Sequence, residues 1–245
     1  MPDLQSLKIK IFADGADLQG MKAMYANPVI KGFTTNPTLM KAAGITDYAE
    51  FARKVLSAIP DRPVSFEVFA DDFDEMEHQA MEIASWGRNV NVKIPVTNTQ
   101  MDFCGPLVSR LSKRGVQLNV TAVFTLDQVR RITEALAPDT PAIVSVFAGR
   151  IADSGIDPVP VMREAARIME ARPKAELLWA SPRELLNVIQ ADEVGCGIIT
   201  CTNDILKKLP LIGKDQDTYS LETVKMFYND ARAAGFTIRA PAMAE

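Results

Sequence analysis

Lys93 stands in the stretch NVKIPVTN (91–98), which otherwise reads as a buried strand. An ammonium at a position patterned for valine asks for a chemical reason. Strand side chains alternate between faces, so Lys93 shares parity with Asn91 and Pro95, while Val92, Ile94 and Val96 share the other. If the valines and Ile94 meet a layer of helices, Lys93 points the opposite way, into the sheet's enclosed side. Burial there disfavours the charged form, and a neutral amine can attack a ketone to form a Schiff base. Two acids, Asp14 and Glu67, can serve such an amine if the fold brings them beside it, each able to move a proton directly or through water. Asn36, Asn119 and Thr121 are of the type that holds hydroxyls or that water. Other readings remain open at this point: Lys93 snorkelling or pairing with an acid, Asp14 capping the helix that follows it, Glu67 as a salt-bridge partner, Asn36 as a turn residue before Pro37, Asn119 and Thr121 as satisfied strand polars, and Arg150 as a surface arginine.

For these residues to converge, the elements must bring them to one end of a sheet. Eight short apolar runs can be read as strands: 8–14, 32–36, 63–70, 89–96, 116–123, 142–149, 175–181 and 195–202. Between them lie segments at helical spacing, over 17–27, 46–59, 74–87, 105–114, 125–136, 159–171 and 182–191, the last opening on Pro182. A short helix is read in DILKKLP and a final amphipathic one over 219–234. Eight strands with a helix after most of them favour a (β/α)8 TIM barrel with an additional C-terminal helix, in a single domain over 1–245. In that fold the C-terminal ends of the strands surround the active site. The polar residues in and after the strands then form one candidate set: Asp14, Thr34, Thr35, Asn36, Glu67, Lys93, Asn119, Thr121, Ser145, Arg150 and Ser181.

Composition narrows the chemistry. The chain has 245 residues, 47% of them hydrophobic, and a formal charge of -4. That balance suits a globular protein and gives no electrostatic footprint for nucleic acid. No apolar run approaches a membrane span, and the first residues lack a signal-peptide core, so no membrane partner is expected and the cytoplasm is the default compartment. Three widely spaced cysteines make no disulfide framework and read as buried free thiols. The one histidine, His78, reads as a helix-surface residue and makes a zinc site improbable. No GxGxxG or GxxxxGK motif follows the first strand, so no nucleotide cofactor is expected.

Five stretches carry a family resemblance: IFADGAD (11–17), KGFTTNPTLM (31–40), NVKIPVT (91–97), QLNVTAVFT (117–125) and VSVFAGRI (144–151). In this order, over roughly 8–235, they resemble the transaldolase family, including the short subfamily of fructose-6-phosphate aldolases. The resemblance implies a cofactor-free and metal-free class I mechanism in carbohydrate metabolism such as the pentose phosphate pathway, on sugar or sugar-phosphate substrates. By motif match, Lys93 is the Schiff-base lysine and Asp14 the proton carrier. Glu67 and Thr121 hold the catalytic water, with Asn119 beside them; Asn36 contacts substrate hydroxyls and Arg150 binds phosphate. Glu67 with Phe147 resembles the transaldolase pairing, whereas the direct aldolases pair a glutamine with a tyrosine. The implied reaction is transfer of a dihydroxyacetone unit; release of free dihydroxyacetone, or a non-catalytic sugar-binding barrel, are the alternatives. One departure stands out. After strand seven the family places a serine, an aromatic residue and a basic residue, and here the run is Leu178, Trp179, Ala180. Arg183, Ser181 or the segment 153–158 would have to compensate if phosphate is bound in the usual way. A homo-oligomer is also expected, with the C-terminal helix against a neighbouring subunit.

Overall fold

The computed structural model describes residues 3–238. Eight parallel strands close into a barrel in sequence order: β1 (Lys10–Asp14), β2 (Ile30–Thr34), β3 (Val64–Glu67), β4 (Val90–Pro95), β5 (Leu118–Val123), β6 (Ala142–Val146), β7 (Ala175–Trp179) and β8 (Ile198–Cys201). The helices are α1 (Leu18–Tyr25), α2 (Pro37–Ala42), α3 (Tyr48–Ala58), α4 (Phe73–Ser85), α5 (Gly105–Lys113), α6 (Leu126–Ala135), α7 (Ala148–Asp153), α8 (Pro158–Met169), α9 (Leu186–Glu193), α10 (Asn203–Leu206) and α11 (Gln216–Ala233). The expected barrel and its extra C-terminal helix are both present. No helix among the described residues is long and apolar enough to cross a membrane.

Local chemistry explains where the helices start and which face they bury. Asp47, Asp72 and Asp157 accept backbone N–H groups at the starts of α3, α4 and α8, and Thr125 forms a reciprocal capping box with Gln128 on α6. Met76, Ala80 and Ile83 recur at one helical face of α4, as Met162, Ala165 and Met169 do on α8. These faces pack on the outward strand residues, among them Val92, Ile94 and Val96, to make the main core.

The barrel interior is two-sided. Phe12, Ile143, Leu178, Ala180 and Ile198 form a separate inner cluster, with Phe147 packed against it. Gly32 makes room for it: a Cβ there would lie 2.5 Å from the Phe12 ring. The β3–β6 side is polar instead. Asn119 donates to Ser65 Oγ at 3.1 Å and accepts from Ser145 Oγ at 2.7 Å, all three buried. Lys93 lies in this polar half.

Three sequence expectations need correction. The helix expected over 182–191 starts only at Leu186. Ser181 turns the chain at φ 57°, and the Asn187 side chain then accepts the N–H groups of Arg183 and Glu184, which holds Pro182 outside the helix. The short helices α2 and α7 are absent from the sequence expectation, because six residues are too few to show a period. The final helix begins at Gln216, capped by Asp215, three residues before the expected start.

Candidate active site

Lys93 is 7% exposed, at the C-terminal end of β4. Its Nζ donates to the Thr35 carbonyl at 2.8 Å and stands 3.2 Å from Glu67 Oε2. Strand register produces the pair: Glu67 on β3 is paired with Lys93 on β4, and Lys93 with Asn119 on β5, so the three lie abreast across the sheet. The lysine therefore sits beside a carboxylate, with their side chains 8% and 18% exposed.

A cavity of about 450 Å³ opens above them. Asp14, Asn36, Glu67, Lys93, Asn119, Thr121, Phe147, Arg150 and Ser181 all line it. The capping alternative for Asp14 is not what the chain does: Asp17 caps α1, accepting from Gln19 and Gly20. Asp14 instead accepts the Thr34 hydroxyl at 2.8 Å. Burial raises its carboxyl above the ordinary value of 3.8; the Lys93 charge and the Thr34 hydrogen bond pull it back in part, and Glu67 adds to the rise. A carboxyl held this way accepts a proton more readily than an exposed aspartate.

Asn36 is expected to be either a turn residue before Pro37 or a contact for substrate hydroxyls. Its side-chain oxygen caps α2 by accepting the Leu39 N–H at 3.0 Å, and the residue lines the cavity. Asn119 is fully buried, with its amide already bound at both ends by serines. Thr121 lies beside Ala122, which has φ 58°, at a break in the β5–β6 register. Such a bulge next to a cavity re-aims the side chains around it.

An apolar wall lies at and beyond the ends of β5, β6 and β7. Phe147 and Phe124 have ring centroids 5.7 Å apart, and Leu178 and Ala180 continue the wall. Arg150, exposed on α7, has its guanidinium carbon 5.6 Å from the centre of the Phe147 ring. The position of α7 depends on Gly149, where a Cβ would lie 1.5 Å from the Ser181 carbonyl oxygen. Arg183 does not reach the cavity. It forms an ion pair with Asp153, whose carboxyl the guanidinium holds below its ordinary value. The rest of the 153–158 segment also lies outside the lining, with Asp157 used to cap α8. Neither replaces the polar residues missing at Leu178 and Ala180.

Thr200 on β8 and Phe124 also line the cavity, although neither belongs to the set of polar strand-end residues expected from the sequence, which stops at β7. The signal for Thr200 is its parity with the inward Ile198. Its hydroxyl shares a short hydrogen bond with Thr34, which links β8 to the Asp14 contact. His78 is exposed on α4, as expected, and borders a second, mostly apolar cleft between α3 and α4 with Tyr48, Phe69 and Trp86.

The family described as Transaldolase/Fructose-6-phosphate aldolase matches residues 11–245. A probable transaldolase of Dehalococcoides mccartyi is 36% identical over 202 residues, 82% of this chain and 90% of that one. A probable transaldolase of Streptococcus agalactiae is 34% identical over 215 residues, 86% of this chain and 95% of that one. Among solved structures, KGPDC from Streptococcus mutans superposes with a TM-score of 0.52 at 12% identity, over 80% of this chain and 88% of that one. A 2,3-dimethylmalate lyase gives 0.56 at 12% identity, over 98% and 88%. Likeness at that identity speaks for the barrel fold alone.

Proposed function

The chain belongs to the transaldolase/fructose-6-phosphate aldolase family, and from that premise we propose that it transfers a dihydroxyacetone unit from a ketose phosphate to an aldose acceptor through a Schiff base on Lys93. The observation that carries this reading is the buried Nζ at 3.2 Å from Glu67, on the same cavity as Asp14. Lys93 gives a proton to Glu67 and attacks the C2 ketone of the open-chain sugar. Loss of water, handled between Glu67 and Thr121, leaves the iminium. The C3–C4 bond then breaks, its electrons pass into the iminium, and Asp14 takes the proton of the C4 hydroxyl. The resulting enamine adds to an acceptor aldehyde, Asp14 returns the proton, and water releases Lys93. Every electron pair has a destination within the substrate and side chains, so this scheme needs no cofactor or metal.

Asn36 orients substrate hydroxyls, and Asn119, braced by Ser65 and Ser145, keeps the floor beside Lys93 in register. Ser181 and Arg150 meet the far end of the sugar. Phe147 offers no hydroxyl to protonate the enamine, which favours transfer over release. With Leu178 and Ala180 apolar and Arg183 bound to Asp153, Arg150 is, among the described residues, the cation left to hold a phosphate at this wall, and charge-assisted contacts are correspondingly fewer. The cytoplasm remains the proposed compartment and a homo-oligomer the proposed assembly.

Borohydride reduction in the presence of fructose 6-phosphate tests the mechanism. A stable adduct on Lys93, absent from Lys93→Met, is expected; no adduct with any ketose overturns the reading. Leaving out the acceptor aldehyde separates the two reactions, since rapid release of free dihydroxyacetone would assign the chain to direct aldol cleavage.

A further inference from the structure

The partner of Lys93 opposite Glu67 is a backbone carbonyl, and strand ladders normally consume those. β2 and β3 pair through Phe33 with Val64 and Thr34 with Ser65. The Phe33 N–H meets the Pro63 carbonyl and the Thr35 N–H meets the Ser65 carbonyl. Continued by two residues, the same ladder would join the Glu67 N–H to the Thr35 carbonyl, and the N–H of residue 37 to the Glu67 carbonyl. Neither bond forms. Residue 37 is Pro37, which has no N–H, and the Thr35 carbonyl is taken by Lys93 Nζ at 2.8 Å. Both backbone groups of Glu67 are thereby left without a strand partner, in a place where unpaired groups are costly.

One side chain answers both. Tyr48, at the first position of α3, inserts its hydroxyl into the gap. It accepts the Glu67 N–H at 2.6 Å and donates to the Glu67 carbonyl at 3.1 Å. Its ring is gripped by Phe66, Phe69 and Trp86, with centroids 6.0, 4.6 and 5.5 Å away. Burial raises its phenol well above the ordinary value of 10.0, which keeps the hydroxyl a donor as well as an acceptor at neutral pH.

We propose that Tyr48 is a positioning residue for the reaction at Lys93: its hydroxyl stands in for the missing β2–β3 rung, which fixes the Glu67 carboxylate and leaves the Thr35 carbonyl to aim the amine. Without the hydroxyl, the Glu67 N–H turns to the Thr35 carbonyl and competes with Lys93 for it. Tyr48 lies behind the strands and is absent from the cavity lining, so it acts through Glu67 and not on the substrate itself. The proposal rests on the Schiff-base reading of Lys93, and its test separates the two.

The experiment is borohydride trapping of dihydroxyacetone on the full chain, comparing wild type with Tyr48→Phe, and with Trp86→Phe as the control for ring packing. The limiting rate at saturating ketone and the half-saturating concentration are read separately. In Tyr48→Phe the limiting rate is expected to fall about tenfold or more, the scale of one misdirected hydrogen bond to a reacting group, with the half-saturating concentration little changed. Trp86→Phe is expected to trap at near the wild-type rate even where it lowers Tm. If wild type traps nothing on Lys93, the functional reading fails and this one with it. If wild type traps and Tyr48→Phe traps as fast, or if both variants slow alike, the Tyr48 assignment alone fails. Should Tyr48→Phe not fold, 2,3-difluorotyrosine at 48 keeps the ring and weakens the hydroxyl as an acceptor; a slower limiting rate supports the assignment and an unchanged one overturns it.

Discussion

Asp14 is a half-buried carboxyl group on the cavity wall, and its raised affinity for a proton ties pH to stability. Below its ordinary value of 3.8 the group is protonated in the folded and unfolded chains alike, and an asparagine there should be equivalent. As pH rises through the folded value, the unfolded chain releases the proton first, so folding loses stability. Asp14→Asn removes that loss. The variant should melt higher than wild type at pH 7 and together with it near pH 3, each 1 kcal/mol appearing as roughly 2–4 °C in Tm. Its turnover should fall by roughly 10²–10⁴-fold, the usual worth of a positioned proton carrier. Thermal melts across pH beside initial rates check both halves. At this scale much of the cavity was legible in the sequence, because strand parity and strand ends locate inward polar groups without knowledge of the rest. Tyr48 was not legible. Pro37 is visible in the sequence, but Tyr48's part also depends on the β2–β3 register and on the fate of one carbonyl, neither of which leaves a mark in side-chain pattern.

α7 carries Arg150 and is placed by a contact that tolerates no side chain, since a Cβ on Gly149 would lie 1.5 Å from the Ser181 carbonyl. Gly149→Ala must push the start of α7 away from the end of β7. The expected result is a loss of about 1–3 kcal/mol in urea unfolding, the range for overpacking, with KM for a phosphorylated donor rising more than KM for its unphosphorylated counterpart. An equal rise in both would detach Arg150 from phosphate recognition. The sequence located the eight strands to within a few residues because alternating and continuous apolar runs are strong signals. It failed at α2, α7 and the start of α9. Each is set by a single backbone event: the Asn36 cap, the Gly149 contact, and the left-handed turn at Ser181 with the Asn187 bonds that follow.

α11 stands apart from the barrel: none of its 18 residues is buried. Leu221, Val224 and Tyr228, at helical spacing, are more than half exposed, as is Phe227. A lone helix of this length is marginal in water, so a covering surface is expected, and a second copy of the chain is the proposed source. Light scattering should give wild type a mass at a multiple of 26.9 kDa. Val224→Lys combined with Phe227→Lys should shift it toward the single-chain mass; a wild type already at that mass would remove the proposed assembly. The barrel itself is closed unevenly. Five residue pairs join β6 to β7, but two join β2 to β3 and two join β7 to β8. The β2–β3 seam is the one that supplies Thr35 to Lys93. On the proposed reading, warming is expected to open that seam, and with it the Thr35 contact of Lys93, before the better-paired staves give way, so that loss of borohydride trapping should precede unfolding in a thermal series.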